Sequence, residues 1–156
     1  MLNALFVYGT LKHGYLRSSM WPHAPQAIVP GLVRGALLDL GAYPGLILGD
    51  DWILGELWTI AAEHIPRTLE VLDQVEGYDP RTDRGLYLRR PISVWPLGSP
   101  MDPPQDSPTQ AYTYRIADEH RIAHGRRIAA TIQMGDRWVA QWPDRLSRVP
   151  TRLEDE

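Results

Sequence analysis

One clear stretch of helical periodicity lies among runs of residues that favour β-strands. Apolar side chains recur there at three- to four-residue spacing, at Ile65, Leu69, Leu72 and Val75. Pro66 suits the first turn of a helix, where its missing N–H costs nothing, and Gly77 suits the position that ends one. We therefore predict a helix of about three turns over residues 65–76.

The strand-like runs are aliphatic, branched or aromatic and are bounded by glycine and proline. The predicted strands cover residues 4–8, 28–40, 52–60, 86–95 and 110–116. Within the second run, Gly31 and Gly35 are expected at bends or bulges. Beyond Asp118 we expect a short helix near 119–124, a strand near 128–133 and a polar tail. This content predicts an α+β domain with a small barrel-like sheet and flanking helices.

A chain of 156 residues has room for one domain. The segment 96–108 holds five of the 14 prolines, which is typical of a long exposed loop. Because this segment joins two predicted strands, it does not divide the chain. We predict a single domain over residues 1–140 and a C-terminal tail over 141–156.

Charge and composition exclude several kinds of partner and site. A net charge of −3 with 44% hydrophobic residues indicates a folded domain and argues against nucleic acid or an anionic membrane as the main partner. There is no apolar run of about 18 residues and no basic residue ahead of the first apolar stretch, so we expect a cytoplasmic location. The absence of cysteine excludes disulfides, thiolate metal sites and cysteine nucleophiles. Nothing in the composition indicates a protein partner.

The sequence lacks two common catalytic motifs and contains one pair of histidines that could bind a metal. The sequence has neither a phosphate-binding loop ending in Lys-Ser/Thr nor a serine elbow of the GxSxG type. His120 and His124 lie four residues apart and could share one helix face as metal ligands. No third ligand stands at motif spacing, so solvated or capping histidines fit better. A metal-dependent hydrolase is the alternative at this position.

Glu76 is the most informative carboxylate. It lies seven residues beyond Leu69, so it projects from the middle of the apolar stripe, whereas Glu70 and Gln74 point away. Desolvation and the negative end of the helix dipole would both raise its pKa, which suits a general acid and base. Two alternatives stay open. The helix could end before Glu76, or the carboxylate could pair with a nearby arginine, for which the candidates are Arg84, Arg89 and Arg90.

The sequence YGTLKHG over residues 8–14 follows the first predicted strand. A buried strand that runs into Gly9-Thr10 directs successive backbone N–H groups outward, and such a nest can bind a carboxylate. The alternative is an ordinary turn at the end of a strand.

Six short stretches together carry a resemblance over residues 5 to 138. They are FVYGTLK (6–12), LGAYPGL (40–46), LGELW (54–58), LDQVEGY (72–78), YLRR (87–90) and YTY (112–114). In order and spacing they are similar to the gamma-glutamylcyclotransferase-like family, also called AIG2-like or BtrG-like.

The resemblance implies a small mixed β-barrel with flanking helices and a cavity at one mouth. It also implies an enzyme that converts a small gamma-glutamyl amino acid or amine to 5-oxoproline, releases the free amine, and needs no cofactor or metal. Carried over residue by residue, Glu76 is the acid and base, and Tyr87 lines the cavity. The residues that hold the glutamyl group are then Tyr8, Gly9, Thr10 and Leu11.

The sequence departs from the family's pattern in three places, and the first two bear on substrate choice more than on the core chemistry. The family often has an asparagine shortly after the first loop, where Tyr15 and Leu16 stand here. A late Gly-Asp-Trp element appears as Gly-Asp-Arg-Trp over 135–138, and the proline-rich segment 96–108 is an insertion. The alternative function is a small-molecule-binding or regulatory module that keeps the cavity without turnover.

Overall fold

The computed structural model describes residues 2–98 and 107–147, within which the chain forms ten strands and two α-helices. The first five strands are β1 (Ala4–Val7), β2 (Ala27–Asp39), β3 (Pro44–Thr59), β4 (Tyr78–Asp79) and β5 (Arg84–Gly85). The others are β6 (Tyr87–Pro96), β7 (Thr109–Ile116), β8 (Arg126–Ile128), β9 (Ile132–Met134) and β10 (Arg137–Ala140). The helices are α1 (Ile65–Glu76) and α2 (Glu119–His124), with short 3₁₀ turns at Ser18–Met20 and Ala62–His64.

Five strands close into a barrel in the order β2-β6-β7-β1-β3, because β3 returns to pair with β2. The barrel is mixed, since β1 lies parallel to β7 and antiparallel to β3. β8 extends the sheet beside β2, and β10 and β9 extend it beside β3. The predicted fold class, α+β with a small mixed β-barrel and flanking helices, is confirmed.

The long β2–β3 hairpin contains one of the two predicted irregularities. Its register shifts between Gly35, which pairs with Asp51, and Ala36, which pairs with Ile47, and this confirms an irregularity at Gly35. The prediction for Gly31 is wrong, because this residue pairs in register with Gly55. Gly31 is instead a point of close packing, where an added Cβ would lie 2.7 Å from Cγ1 of Val94.

β3 begins at Pro44, eight residues before the predicted strand over 52–60. The missed half contains proline, glycine and aspartate, which have low strand propensity. Pairing with the end of β2, including Leu37 with Leu46 and Asp39 with Pro44, holds it in the sheet. The earlier start matters because it carries Pro44 to the candidate site.

β1 is buried on both faces and separates two hydrophobic clusters. Ala4, Phe6 and Tyr8 belong to one cluster, whereas Leu5 and Val7 belong to another that includes the apolar face of α1. The predicted helices over 65–76 and 119–124 are both confirmed. The α1 face therefore packs beside the strand that leads into the YGTLKHG segment.

The end of the domain differs from the prediction. The single strand expected near 128–133 is wrong, because the chain forms β8 and β9 there, and the following β10 was not predicted. Trp142 in the predicted polar tail is fully buried, and its carbonyl accepts a hydrogen bond from Nζ of Lys12 at 2.6 Å. The boundary at 140 stays a prediction, although residues just beyond it pack on the domain.

Parts of two predicted segments lie outside the described residues, namely 99–106 of the proline-rich segment and 148–156 of the tail. In the part of the chain that the structure describes, no helix is both long enough and apolar enough to cross a membrane.

Candidate active site

α1 extends through Glu76 and ends where Gly77 adopts the left-handed conformation, with φ of 67°. Glu76 is therefore the last helical residue, and the prediction that the helix could end before it is wrong. The predicted pairing of Glu76 with a nearby arginine is also wrong for the described residues. Arg89 bonds Asp73 and Arg90 bonds Asp83, and no described arginine forms an ion pair with Glu76.

A pocket of about 370 Å³, counting its solvent-open mouth, lies where α1 meets the end of β1. All six residues predicted as site residues line it, and they are Tyr8, Gly9, Thr10, Leu11, Glu76 and Tyr87. The other lining residues are Phe6, Val7, Arg17, Tyr43, Pro44 and Tyr114. The structure thus brings the YGTLKHG segment and Glu76 to one cavity, although their roles there stay predictions.

The electrostatics of Glu76 suit proton transfer near neutral pH. Burial raises the pKa of its carboxyl group from 4.5 to about 7, and the positive charge of Arg17 opposes that rise. No hydrogen bond to this carboxyl group comes from residues 2–98 or 107–147. A half-buried carboxyl group with such a pKa can both accept and return a proton.

The segment from Gly9 to Leu11 lines the pocket and carries unused hydrogen-bond donors. The carbonyl of Gly9 accepts from the N–H of Lys12 at 3.1 Å, and the carbonyl of Thr10 accepts from the N–H of Arg17 at 2.8 Å. These bonds fix the turn. Among the described residues, nothing accepts from the N–H groups of Gly9, Thr10 and Leu11 or bonds the Thr10 hydroxyl. The turn therefore offers a cluster of donors suited to a carboxylate or an oxyanion.

The tyrosine hydroxyls around the pocket are occupied by structural hydrogen bonds. Tyr8 donates to the carbonyl of Tyr114 at 2.5 Å and accepts from the N–H of Leu46 at 3.0 Å. Tyr87 donates to the carbonyl of Pro44 at 2.6 Å. Burial, with the nearby charge of Glu76, raises the pKa of both phenols. They stay protonated and hold the start of β3 against the barrel.

A buried network anchors α1 one turn before Glu76. Asp73 accepts from the Tyr114 hydroxyl at 2.7 Å and from Nη1 of Arg89 at 2.5 Å. Its side chain is 6% exposed. Since Asp73 and Glu76 are three residues apart on the helix, this network fixes the helix end that carries Glu76.

Gly9 packs so closely against Pro44 that a side chain at this position would clash with the proline ring. An added Cβ would lie 2.6 Å from Cγ and 2.7 Å from Cδ of Pro44. From the sequence, the turn at Gly9-Thr10 was expected only to bind a carboxylate through its backbone N–H groups. The contact with Pro44 means that any larger residue also disturbs the fold.

We expect Gly9→Ala to lower the free energy of unfolding by roughly 1–3 kcal/mol, the scale of overpacking a tight contact. Denaturant unfolding measures this loss. The double variant Gly9→Ala, Pro44→Ala removes both clashing atoms and should recover part of it. Equal stability of Gly9→Ala and wild type would show that Pro44 moves aside freely.

The other six lining residues were not predicted from the sequence, among them Arg17, Tyr43 and Pro44. One signal pointed to Arg17: no Asp or Glu precedes Asp39, so this arginine has no acidic neighbour in the sequence. Within the described residues its guanidinium forms no ion pair. The contribution of Pro44 depends on the early start of β3 and could not be found from local sequence.

The two histidines lie on α2, away from the pocket lining. Their rings are 4.3 Å apart between centroids, and Nδ1 of His124 lies 2.8 Å from the carbonyl oxygen of His120. No group of three or more His, Asp or Glu side chains in residues 2–98 and 107–147 is placed to hold a metal ion. A metal site on this helix therefore lacks a third protein ligand among these residues.

The fold and the pocket define a small barrel domain with one acidic group in a pocket that is open to solvent. A family model described as gamma-glutamyl cyclotransferase, AIG2-like, matches residues 5–139. The chain belongs to this family, which confirms the family resemblance found in the sequence.

Individual relatives agree with the family match. The chain is 34% identical over 87 residues to the gamma-L-glutamyl-butirosin B gamma-glutamyl cyclotransferase of Niallia circulans, covering 54% of this chain and 53% of that protein. It is 38% identical over 77 residues to a Vibrio cholerae protein with the provisional name gamma-glutamylcyclotransferase, covering 48% and 65%. Among solved structures, YkqA from Bacillus subtilis superimposes with a TM-score of 0.50 at 20% identity, covering 74% of this chain and 36% of that one. The matches span about half to two thirds of the curated relatives' length.

Proposed function

We propose that this protein is a gamma-glutamylcyclotransferase, which closes the glutamyl group of a small gamma-glutamyl amino acid or amine to 5-oxoproline and releases the amine. The observation that carries the proposal is Glu76. Its carboxyl group faces the pocket without a hydrogen-bond partner among the described residues, and burial raises its pKa to about 7. The donors of the Gly9–Leu11 turn line the same pocket.

The first task of the site is to fold the substrate into the pose for attack. The substrate's own α-amine is the nucleophile and its γ-carbonyl carbon is the electrophile, so both belong to one molecule. Binding in the correct pose removes much of the entropic barrier to ring closure. The free N–H groups of Gly9, Thr10 and Leu11 are suited to the α-carboxylate or to the oxyanion that forms during attack.

Glu76 then transfers the protons. The ionised carboxylate takes a proton from the α-ammonium group, and the freed amine forms a C–N bond with the γ-carbonyl carbon. The tetrahedral species collapses, the original C–N bond breaks, and Glu76 returns its proton to the leaving nitrogen. The ring nitrogen sheds a second proton, which the released amine takes up to leave as an ammonium ion. No water is consumed. A pKa of about 7 allows the same carboxyl group to act in both directions.

The pH dependence follows from the protonation state that starts the reaction. We expect kcat/KM to rise with pH and to reach a plateau above about 7, because the ionised form of Glu76 is the base. A profile of kcat/KM between pH 5 and 9 measures this limb. A rate that stays level across that range would contradict proton transfer by Glu76.

The direct experiment is a panel of gamma-glutamyl amino acids and gamma-glutamylamines assayed for 5-oxoproline and free amine. Equal amounts of both products support cyclisation. Release of free glutamate in place of 5-oxoproline would indicate hydrolysis. Tight binding of a compound without any product would favour the non-catalytic binding module.

A further inference from the structure

Arg17 is a cation in the pocket that the mechanism above does not use. Its backbone N–H bonds the carbonyl of Thr10, which places the residue beside the donor turn. Its side chain lines the cavity, and no carboxylate in the described residues lies within ion-pairing distance. Its positive charge is close enough to Glu76 to act on that group. An unpaired guanidinium at a ligand pocket is suited to an anion.

The depth of each lining residue indicates which part of the substrate Arg17 meets. Tyr8, Tyr87 and Tyr114 are between 3% and 6% exposed and form the deep part of the pocket. Arg17 is half-buried and follows Leu16, which is 41% exposed. Thr10 and Leu11 of the donor turn are 8% and 4% exposed, so a glutamyl group held there lies deep, whereas the leaving amine must depart through the mouth. Arg17 therefore stands on the side of the leaving amine.

The number of donors supports the same assignment. The glutamyl α-carboxylate has two oxygens, and the Gly9–Leu11 turn offers three free N–H groups and the Thr10 hydroxyl. These suffice for one carboxylate. The guanidinium of Arg17 is then available for a second anionic group on the same substrate.

We propose that Arg17 determines specificity by binding a carboxylate on the leaving amine, so that the preferred substrates are gamma-glutamyl amino acids rather than neutral or cationic gamma-glutamylamines. This inference rests on the proposed cyclotransferase function. It names the class of substrate and the side chain that selects it.

A matched pair of substrates isolates that carboxylate. Gamma-glutamyl-alanine and gamma-glutamyl-ethylamine differ by the carboxylate on the leaving amine. We expect wild type to favour the alanine compound in kcat/KM by roughly 10- to 100-fold, the scale of one hydrogen-bonded charge. Arg17→Gln should bring the ratio close to one, whereas Arg17→Lys should keep part of it. Arg81→Gln, which removes an arginine with an 88% exposed side chain away from the pocket, is the control and should keep the wild-type ratio.

The possible results distinguish the role of Arg17 from the cyclotransferase function on which it rests. Loss of the preference in Arg17→Gln, with 5-oxoproline still formed, supports the assignment. An equal fall in kcat/KM for both compounds would overturn it, because Arg17 would then act on the shared glutamyl group or on the fold. If wild type formed 5-oxoproline from neither compound, that result would instead contradict the cyclotransferase function.

A second readout is the acidic limb of the pH profile of kcat/KM. This limb should move to higher pH in Arg17→Gln, because the variant loses a positive charge near Glu76.

Discussion

Glu76→Gln is expected to lower turnover by roughly 10²–10⁴-fold, the usual loss when a general acid and base is removed. Glutamine keeps the shape of the side chain and its capacity for hydrogen bonds but cannot take a proton from the α-ammonium group. Substrate binding should survive, because the Gly9–Leu11 turn is unchanged. The measurement is 5-oxoproline release under saturating substrate, with binding followed separately by calorimetry.

The same variant should be at least as stable as wild type. The pKa of Glu76 is about 7 in the folded protein against 4.5 for the free group, so the folded state binds this proton more tightly than the unfolded state does. Wild type therefore loses stability as pH rises from 4.5 through about 7, and Glu76→Gln does not. Above that range the variant should gain on the order of 1–3 kcal/mol over wild type in the free energy of unfolding.

Glu70→Gln provides the matched control. Glu70 lies on the same helix, but its side chain is 61% exposed and pairs with Arg67 on the surface. Its loss should change neither turnover nor the pH dependence of stability. Wild-type turnover in Glu76→Gln would place the base elsewhere, and the mechanism proposed here would be wrong.

Local sequence predicted α1 and the inward position of Glu76 because a helix has a fixed period. Once Ile65, Leu69 and Leu72 mark the buried face, the direction of Glu76 follows from its spacing. The start and end of the helix were also readable, since proline and glycine act there through their own backbone geometry. These parts of the site needed no knowledge of the rest of the fold.

Other parts of the site depend on contacts between distant segments and could not be predicted in this way. Asp73 is adjacent to the buried face and could equally have pointed to solvent; its burial depends on Tyr114 and Arg89, from two different strands. Arg17 reaches the pocket because the turn after β1 folds back on Thr10. Periodicity along one element contains no information about such partners, which the barrel supplies when it closes.

Asp73 is where the largest loss of stability is expected. Asp73→Ala removes the acceptor of both the Arg89 guanidinium and the Tyr114 hydroxyl, in a place where the Arg89 side chain is only 20% exposed. A buried charge left without its partner costs about 3–5 kcal/mol. Since small domains are stable by about 5–15 kcal/mol, much of the folding free energy would be lost. Denaturant unfolding at pH 7 measures the change.

A double-mutant cycle then identifies the cause. Arg89→Leu combined with Asp73→Leu removes both charges and fills the space with apolar groups, so it should be more stable than Asp73→Ala. Asp51→Ala serves as the control, because Asp51 pairs with Arg127 on the surface, where the arginine side chain is 63% exposed. That change should cost about 0–1 kcal/mol. Similar losses for Asp73→Ala and Asp51→Ala would mean that the Asp73 network contributes little to the position of α1, and Glu76 would then be held by apolar packing alone.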